Sequence, residues 1–255
     1  MARYLNVPTL EANFLAPLKT TFDVQGSSLD GGRNSFGEGI TMEMTGGGVV
    51  TATYEDCKIK DKEQFRYINQ LGARLNGSFR FVNVPIITDW FGPFPAAGRL
   101  PSLSVGNIPH SDGSFFSDTS GYSQTTVWGA VTEAAALNAG ILKLKIYGMP
   151  RRLDWSEWFS IYHPTKGWRA YRFWDILEAK PALPDGVDVI DGASRPFQQY
   201  RLAIGPALRE AVPVGTRVEF ARPRFVAKFP AGFTLPSVVE AFFVTQQSIQ
   251  FTEAF

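Results

Sequence analysis

Asp61-Lys62-Glu63-Gln64-Phe65-Arg66-Tyr67-Ile68-Asn69-Gln70-Leu71-Gly72-Ala73-Arg74-Leu75-Asn76-Gly77-Ser78-Phe79-Arg80-Phe81-Val82-Asn83-Val84 is the stretch on which the fold turns. It reads as a short helix that passes straight into a strand. Asp61 is placed to cap the helix, and Gln64 three residues on completes a capping box. Phe65, Ile68, Leu71 and Leu75 recur at helical spacing and make one apolar stripe. Lys62, Glu63, Arg66, Asn69 and Arg74 fall mainly off it. Asn76-Gly77 supplies a left-handed exit. Residues 78–84 are aromatic and β-branched, which predicts a strand. A helix of this length is marginal alone, so its stripe must cover a sheet.

Upstream, Ile40, Met42 and Met44 alternate with Thr41, Glu43 and Thr45, predicting a strand with one dry face. Gly46-Gly47-Gly48 and a second strand at 49–54 complete an expected hairpin. Residues 1–37 read as an irregular arm, with one strand at 20–24 and a turn-rich Gly26–Gly32 loop. Downstream, Pro85 and Asp89-Trp90-Phe91-Gly92-Pro93-Phe94-Pro95 break the pattern and mark a boundary. Residues 100–126 suggest short strands and long loops, and 132–138 a brief helix closed by Gly140.

Then Leu142, Leu144 and Ile146 alternate with Lys143 and Lys145. Strands follow at 159–163, 168–173, 199–204, 216–220 and 224–229. The apolar tail, with Val239, Phe242, Phe243, Val244, Ile249 and Phe251, is expected to pair back into the sheet that carries the 39–54 hairpin, because an unpaired terminal strand invites aggregation. The architecture this predicts is mainly β. Residues 1–88 plus 222–255 form a body carrying one helix, and 89–221 an inserted small β module. No internal repeat stands out.

Composition agrees with that class: 24 glycines and 17 prolines leave few long helical windows. Lys plus Arg (25) and Asp plus Glu (24) nearly cancel, so net charge calls for neither nucleic acid nor an anionic membrane. Cys57, the single cysteine, excludes an internal disulfide and a multi-cysteine zinc site and reads as a buried thiol. Residues 1–18 contain Arg3, Asn6, Glu11 and Asn13 and do not read as a secretory signal. No window approaches the roughly 20 apolar residues of a membrane helix.

Chemistry is sparse. His110 lies in Ile108-Pro109-His110-Ser111-Asp112-Gly113-Ser114, which lacks a Gly-x-Ser-x-Gly elbow and reads as a surface turn held by Ser and Asp side chains. His163, before Pro164, reads as a turn histidine. Asp154, Glu157, Asp175 and Glu178 lie near Trp155, Trp158, Trp168 and Trp174, the mixture that lines sugar clefts, or equally a small β core with acidic loops. The triple glycine has no Lys-Ser/Thr after it and is not a phosphate loop. Arg195, Arg201, Arg209, Arg217, Arg222 and Arg224 form the one basic grouping, open to three readings: a phosphate stripe, an assembly interface, or solvated strand faces. No cofactor or metal is implied.

Two segments resemble a known family. Thr51-Ala52-Thr53-Tyr54-Glu55 followed by residues 65–79 is similar to the strand–helix–strand of tail-tip proteins, whose helix ends in a small-Arg-Leu-x-Gly-x-Phe run. Here that run is Ala73-Arg74-Leu75-Asn76-Gly77-Ser78-Phe79, and the positions that carry the likeness are Phe65, Ile68, Leu71, Arg74, Leu75, Gly77 and Phe79, with Phe81 beyond. Ala203-Ile204-Gly205-Pro206-Ala207-Leu208-Arg209-Glu210-Ala211-Val212-Pro213-Val214-Gly215-Thr216 resembles the closing segment of the same proteins, carried by Pro206, Leu208, Arg209 and Gly215. Between them, Trp158-Phe159-Ser160-Ile161 and Tyr171-Arg172-Phe173 match strands of a small β module. The resemblance spans about 39–229 and leaves 1–37 outside it.

The family is the distal tail (Dit-like) and minor tail proteins of long-tailed phages and gene-transfer-agent particles. It implies a β-sandwich, tail-tube-like ring domain carrying one helix, with a peripheral β-barrel or sandwich module. It also implies a ring, hexameric in the family, between tail tube and baseplate hub at the distal end of the tail, through which DNA passes without specific recognition. The implied partners are further copies of the chain, the tube protein, the hub, and tape-measure or fibre proteins. Arg201, Arg217, Arg222 and Arg224 are the candidate assembly residues. A glycan-binding, receptor-recognising module is the alternative, and a glycoside hydrolase a third.

Overall fold

Asp61 caps the helix as its position predicts: its carboxylate accepts from the Gln64 N–H at 2.8 Å. Gln64 reaches back one residue further than the usual box, accepting from the Lys60 N–H at 2.8 Å, and its amide donates to the Phe14 carbonyl. At the other end Asn76 (φ 45°) and Gly77 (φ 67°) are left-handed, which ends the helix without strain at the glycine.

The computed structural model describes residues 4–26, 28–43, 47–88, 92, 94, 98–154, 156–180, 184–236 and 245–255, and among these the side chains of all but Asn13, Glu43 and Thr245. In chain order the first elements are one helical turn, α1 (Ala12–Leu15), then strands β1 (Lys19–Gln25), β2 (Ser28–Arg33), β3 (Gly39–Glu43) and β4 (Val49–Ile59). The capped helix α2 (Lys62–Leu75) and β5 (Val82–Pro85) follow. The middle of the chain gives β6 (Ser104–Ile108), β7 (Tyr122–Thr125), β8 (Trp128–Val131), β9 (Ile141–Tyr147) and β10 (Trp158–His163). Next come β11 (Gly167–Ala179), β12 (Gly186–Ile190), β13 (Ala193–Gly205) and β14 (Arg217–Glu219), before β15 (Arg224–Lys228) and β16 (Thr245–Glu253).

The fold is mainly β. One antiparallel sheet has the order β1-β4-β16-β15-β5 and so takes strands from both ends of the chain. Residues 8–10 cover its far edge, with the Leu10 N–H on the Asn83 carbonyl and the Asn83 N–H on the Pro8 carbonyl, both at 2.8 Å. Ile68, Leu71 and Leu75 of α2 are buried with Val50, Ala52, Tyr54, Phe225, Ile249 and Phe251 of this sheet, and Phe65 packs half-buried beside them. Each fully buried aliphatic of that stripe is worth about 1.5–3 kcal/mol. Cys57 belongs to the same core, and burial raises its thiol to about 11.

The middle strands close on themselves in the order β11-β10-β14-β8-β9-β13, with β13 pairing back to β11, as a six-stranded barrel; β12 extends β13. The alternation at 142–146 points Leu142, Leu144 and Ile146 inward to meet Phe159, Ile161, Tyr171, Phe173 and Leu208. The barrel is therefore filled rather than hollow. Gly167, left-handed at φ 67°, turns β10 into β11 where the Tyr4 carbonyl approaches so closely that a Cβ would collide with it. Trp168 then packs on Val226 and Ala254 of the sheet.

Several expectations fail. The 39–54 hairpin does not form: β3 pairs with β2, and β4 with β1 and β16. Ile40 and Met42 are not on a dry face but 45% and 67% exposed. Alternation reports a pleat, not what covers it. The 26–32 loop gives way to β2. Residues 78–81 are turn rather than strand, with Phe79 exposed, because the left-handed exit swings the chain before β5 begins. No helix forms at 132–138, where Ala135 instead bridges Val212. Met44, the boundary residues 89–91, 93 and 95–97, Trp155 and the tail residues 237–244 lie outside the described residues. Among those described, no helix is long and apolar enough to cross a membrane.

Candidate functional site

The sheet and the barrel are locked by a buried ionic seam. Glu253, at the end of β16, takes a guanidinium fork from Arg209: Nε to Oε1 at 3.2 Å and Nη2 to Oε2 at 2.9 Å. Arg169 of β11 adds Nη1 to Oε1 at 3.2 Å and to the Ala254 carbonyl at 2.5 Å. Arg209 Nη2 also reaches the Gly48 carbonyl, and Glu253 Oε2 accepts from the Val50 N–H. Arg169 is fully buried and Glu253 nearly so. Burial pulls the Arg169 guanidinium below its usual range and Glu253 pulls it back up. Phe255 lies against both arginines. A second seam pair, Arg224 with Glu219, stands at 3.6 Å, too far for a hydrogen bond. There burial raises the Glu219 carboxyl while backbone N–H groups and Arg224 lower it.

His163 is a core residue, not a turn residue; it is 1% exposed. Its Nε2 meets the Tyr171 hydroxyl at 2.7 Å, and that hydroxyl accepts from the Arg209 N–H. A hydroxyl that accepts the Arg209 N–H still carries its own proton, which an unprotonated nitrogen of a neutral imidazole can accept. Burial holds His163 down to about 4, with Arg169 adding to the effect and Glu210 opposing it. Between pH 6.5 and about 4 the unfolded chain takes up a proton that the folded chain refuses. Stability present above pH 6.5 is thus lost as pH falls through that window, up to roughly 3 kcal/mol. Urea titrations at pH 7 and 4.5 test this: His163→Asn should show a shallower loss than wild type.

The resemblance-bearing residues divide between two cores. Leu71 and Leu75 serve the sheet, Pro206 and Leu208 are buried on the barrel side, and Arg209 alone joins the two through Glu253. Gly215 turns at φ 81° and donates its N–H to the Val131 carbonyl. Phe81 stacks on Tyr4, while Arg74 and Phe79 stay exposed.

The arginines make no common stripe. Arg201 pairs with Glu178 at 2.7 Å, Arg217 lies by Trp128, and Arg222 by Phe94. Arg224, 1% exposed, is no surface residue at all, which removes it from the candidate interface. Of the four acids, Asp154 and Glu157 line a cleft of about 530 Å³ with Arg151, Met149, Trp158 and Phe220. Glu157 is engaged there by Arg151 at 2.6 Å. Asp175 and Glu178 sit on the outer half of β11, outside that cleft, and Trp168 is a core residue.

Two hairpins reach beyond both cores. In the first, β2–β3 with its 34–38 turn, no described side chain from 28 to 42 is buried, and Leu29, Phe36, Ile40 and Met42 are exposed. In the second, β6–β7, Leu103 roots the base against Trp128, Tyr147 and Phe197 of the barrel. Its tip is a doubled turn: Asp112 Oδ1 accepts from the N–H and hydroxyl of Ser114, and Asp118 Oδ1 does the same for Ser120. Ser-Asp-Gly-Ser at 111–114 and Ser-Asp-Thr-Ser at 117–120 are a six-residue repeat too short to notice among so many serines. It is the signal by which this tip could have been found.

No protein-family model matches the chain, and comparison with curated proteins gives no match.

Proposed function

We propose that this chain is a structural subunit of the tail tip of a long-tailed phage or gene-transfer-agent particle, assembling as a ring of distal-tail type between tail tube and baseplate hub. In this reading the five-stranded sheet with α2 belongs to a ring-forming, tail-tube-like sandwich, and the barrel is the peripheral module. The partners are further copies of the chain, the tube and hub proteins, and tape-measure or fibre proteins. Its role is mechanical rather than catalytic, at the distal end of the tail, and a near-balanced charge lets DNA pass without a tight grip.

The observation that carries the reading is the β2–β3 arm. A two-stranded hairpin is marginal by itself in water, and this one leaves Leu29, Phe36, Ile40 and Met42 57%, 89%, 45% and 67% exposed, with no buried side chain among its described residues from 28 to 42. Exposed apolar side chains on a projecting element mark an interaction site, and head-to-tail contacts that close by rotation make rings. Negative-stain microscopy of the purified protein should show closed rings. Changing the four residues to serine should abolish the rings and leave the melting temperature near wild type. Rings that persist in that variant, or never form in wild type, count against the reading.

The cleft beside Trp158 favours a second reading, a glycan-binding module, since an aromatic ring flanked by Asp154, Glu157 and Arg151 suits a sugar face and its hydroxyls. A glycan array with wild type and Trp158→Ala decides it: specific binding lost in the variant supports it, and no binding removes it.

A further inference from the structure

We propose that the tip of the β6–β7 hairpin docks onto the outer face of α2 in a second copy of this chain. The inference rests on the ring reading and goes beyond it by naming the two surfaces that meet.

The tip is built to present itself. Ser111 to Ser120 are all exposed. The doubled Asx turn would hold them in one conformation, so that little ordering entropy remains to be lost on contact. Behind the turns His110, Phe116 and Tyr122 form a three-ring cluster with centroids 4.9–5.0 Å apart, tied by the Tyr122 hydroxyl to His110 Nδ1 at 3.2 Å. Phe115, Phe116 and Tyr122 are nonetheless 48%, 41% and 50% exposed. Aromatic anchors on a rigid support are what the centre of an interface uses.

Charge selects the occupant. From residue 100 to 142 there is no lysine or arginine, and the tip carries Asp112 and Asp118 alone. Hydrogen bonds from Ser114 and Ser120 hold both carboxyls below their usual range. The complementary surface lies on the same chain. Residues 60–80 carry five exposed cations, Lys60, Lys62, Arg66, Arg74 and Arg80, against two acids, one of which is spent capping the helix. Lys62 and Arg66 lie one turn apart on the outer side of α2, and Arg74, two turns further on, is about 80° round the helix from Arg66, so the basic stripe is broad and runs obliquely for about 18 Å. Lys60, Lys62 and Arg66 have no acidic partner among the described residues. Phe79, 61% exposed, adds an apolar surface at the end of the stripe. The tip is rooted on the barrel and the helix on the sheet, so the two patches are distinct and a contact between them is head-to-tail, the kind that propagates around a ring.

Sedimentation velocity on full-length protein tests this with two charge-reversed variants, Asp112→Lys/Asp118→Lys and Arg66→Glu/Arg74→Glu. All four sites are exposed, and unchanged circular dichroism and melting would establish that both variants fold. Each variant alone should assemble at least tenfold more weakly than wild type. Mixed in equal amounts they should assemble again, because the basic tip of one then faces the acidic helix of the other. Wild-type assembly should also weaken as salt rises towards 0.5 M, where screening shortens to a few ångströms.

If both variants assemble like wild type, the proposal falls while the ring reading stands. If only the tip variant fails, or the mixture does not recover, the tip docks on some other partner and the proposal again falls. A wild type that stays monomeric at every concentration overturns both.

Discussion

The Glu253→Ala protein is expected to melt on the order of 10 °C below wild type. The substitution leaves Arg169 buried with backbone carbonyls and ring faces around it among the described residues, and takes from Arg209 the carboxylate that its fork holds. Breaking a buried pair by removing one partner typically costs about 3–5 kcal/mol, and in a chain of this size each kcal/mol moves the melting temperature by about 2–4 °C. Glu253→Gln, which keeps the shape and one acceptor, should fall between. The pair Arg201–Glu178 is the control: its Glu178 side chain is 63% and its Arg201 side chain 37% exposed, and removing the carboxylate should change stability by less than about 1 kcal/mol. Equal losses at the two sites would mean that the seam does not hold barrel and sheet together.

Leu75→Ala is the second large effect. Leu75 is fully buried at the point where α2 meets the sheet, and truncating a leucine in such a core costs about 2–5 kcal/mol through lost burial and the cavity left behind. Phe79→Ala, four residues on but 61% exposed, should leave the urea midpoint of the monomer nearly where it was. A chemical denaturation curve for each separates them. If the two variants lose stability equally, the helix does not pack as described.

What the sequence made legible follows from how far its signals reach. The α2 cap, stripe and exit are local, so Asp61, Ile68, Leu71, Leu75 and Asn76-Gly77 could be read before any tertiary structure was known. The same is true of the inward alternation at 142–146 and of the strands at 159–163 and 168–173. Pairing is not local. Ile40 and Met42 alternate as a half-buried strand does, yet they lie on the projecting arm, because nothing in a period of two says whether a partner layer exists.

The seam was invisible for a different reason. Arg169 and Glu253 are charged residues inside strands, and a charge in a strand ordinarily marks a solvated face. Their only signal is company: Arg169 stands between Trp168 and Ala170-Tyr171, and Glu253 between Phe251 and Phe255. Without the fold, nothing brings residues 84 positions apart together. The same reasoning placed Arg224 and His163 near the surface, where neither lies.

Light scattering of the purified protein across a hundredfold concentration range tests the self-assembly claim most directly. The account predicts a particle mass that rises to a fixed multiple of 28.2 kDa and then holds, as a closed ring must. A mass that stays at 28.2 kDa throughout, or climbs without limit, would contradict it.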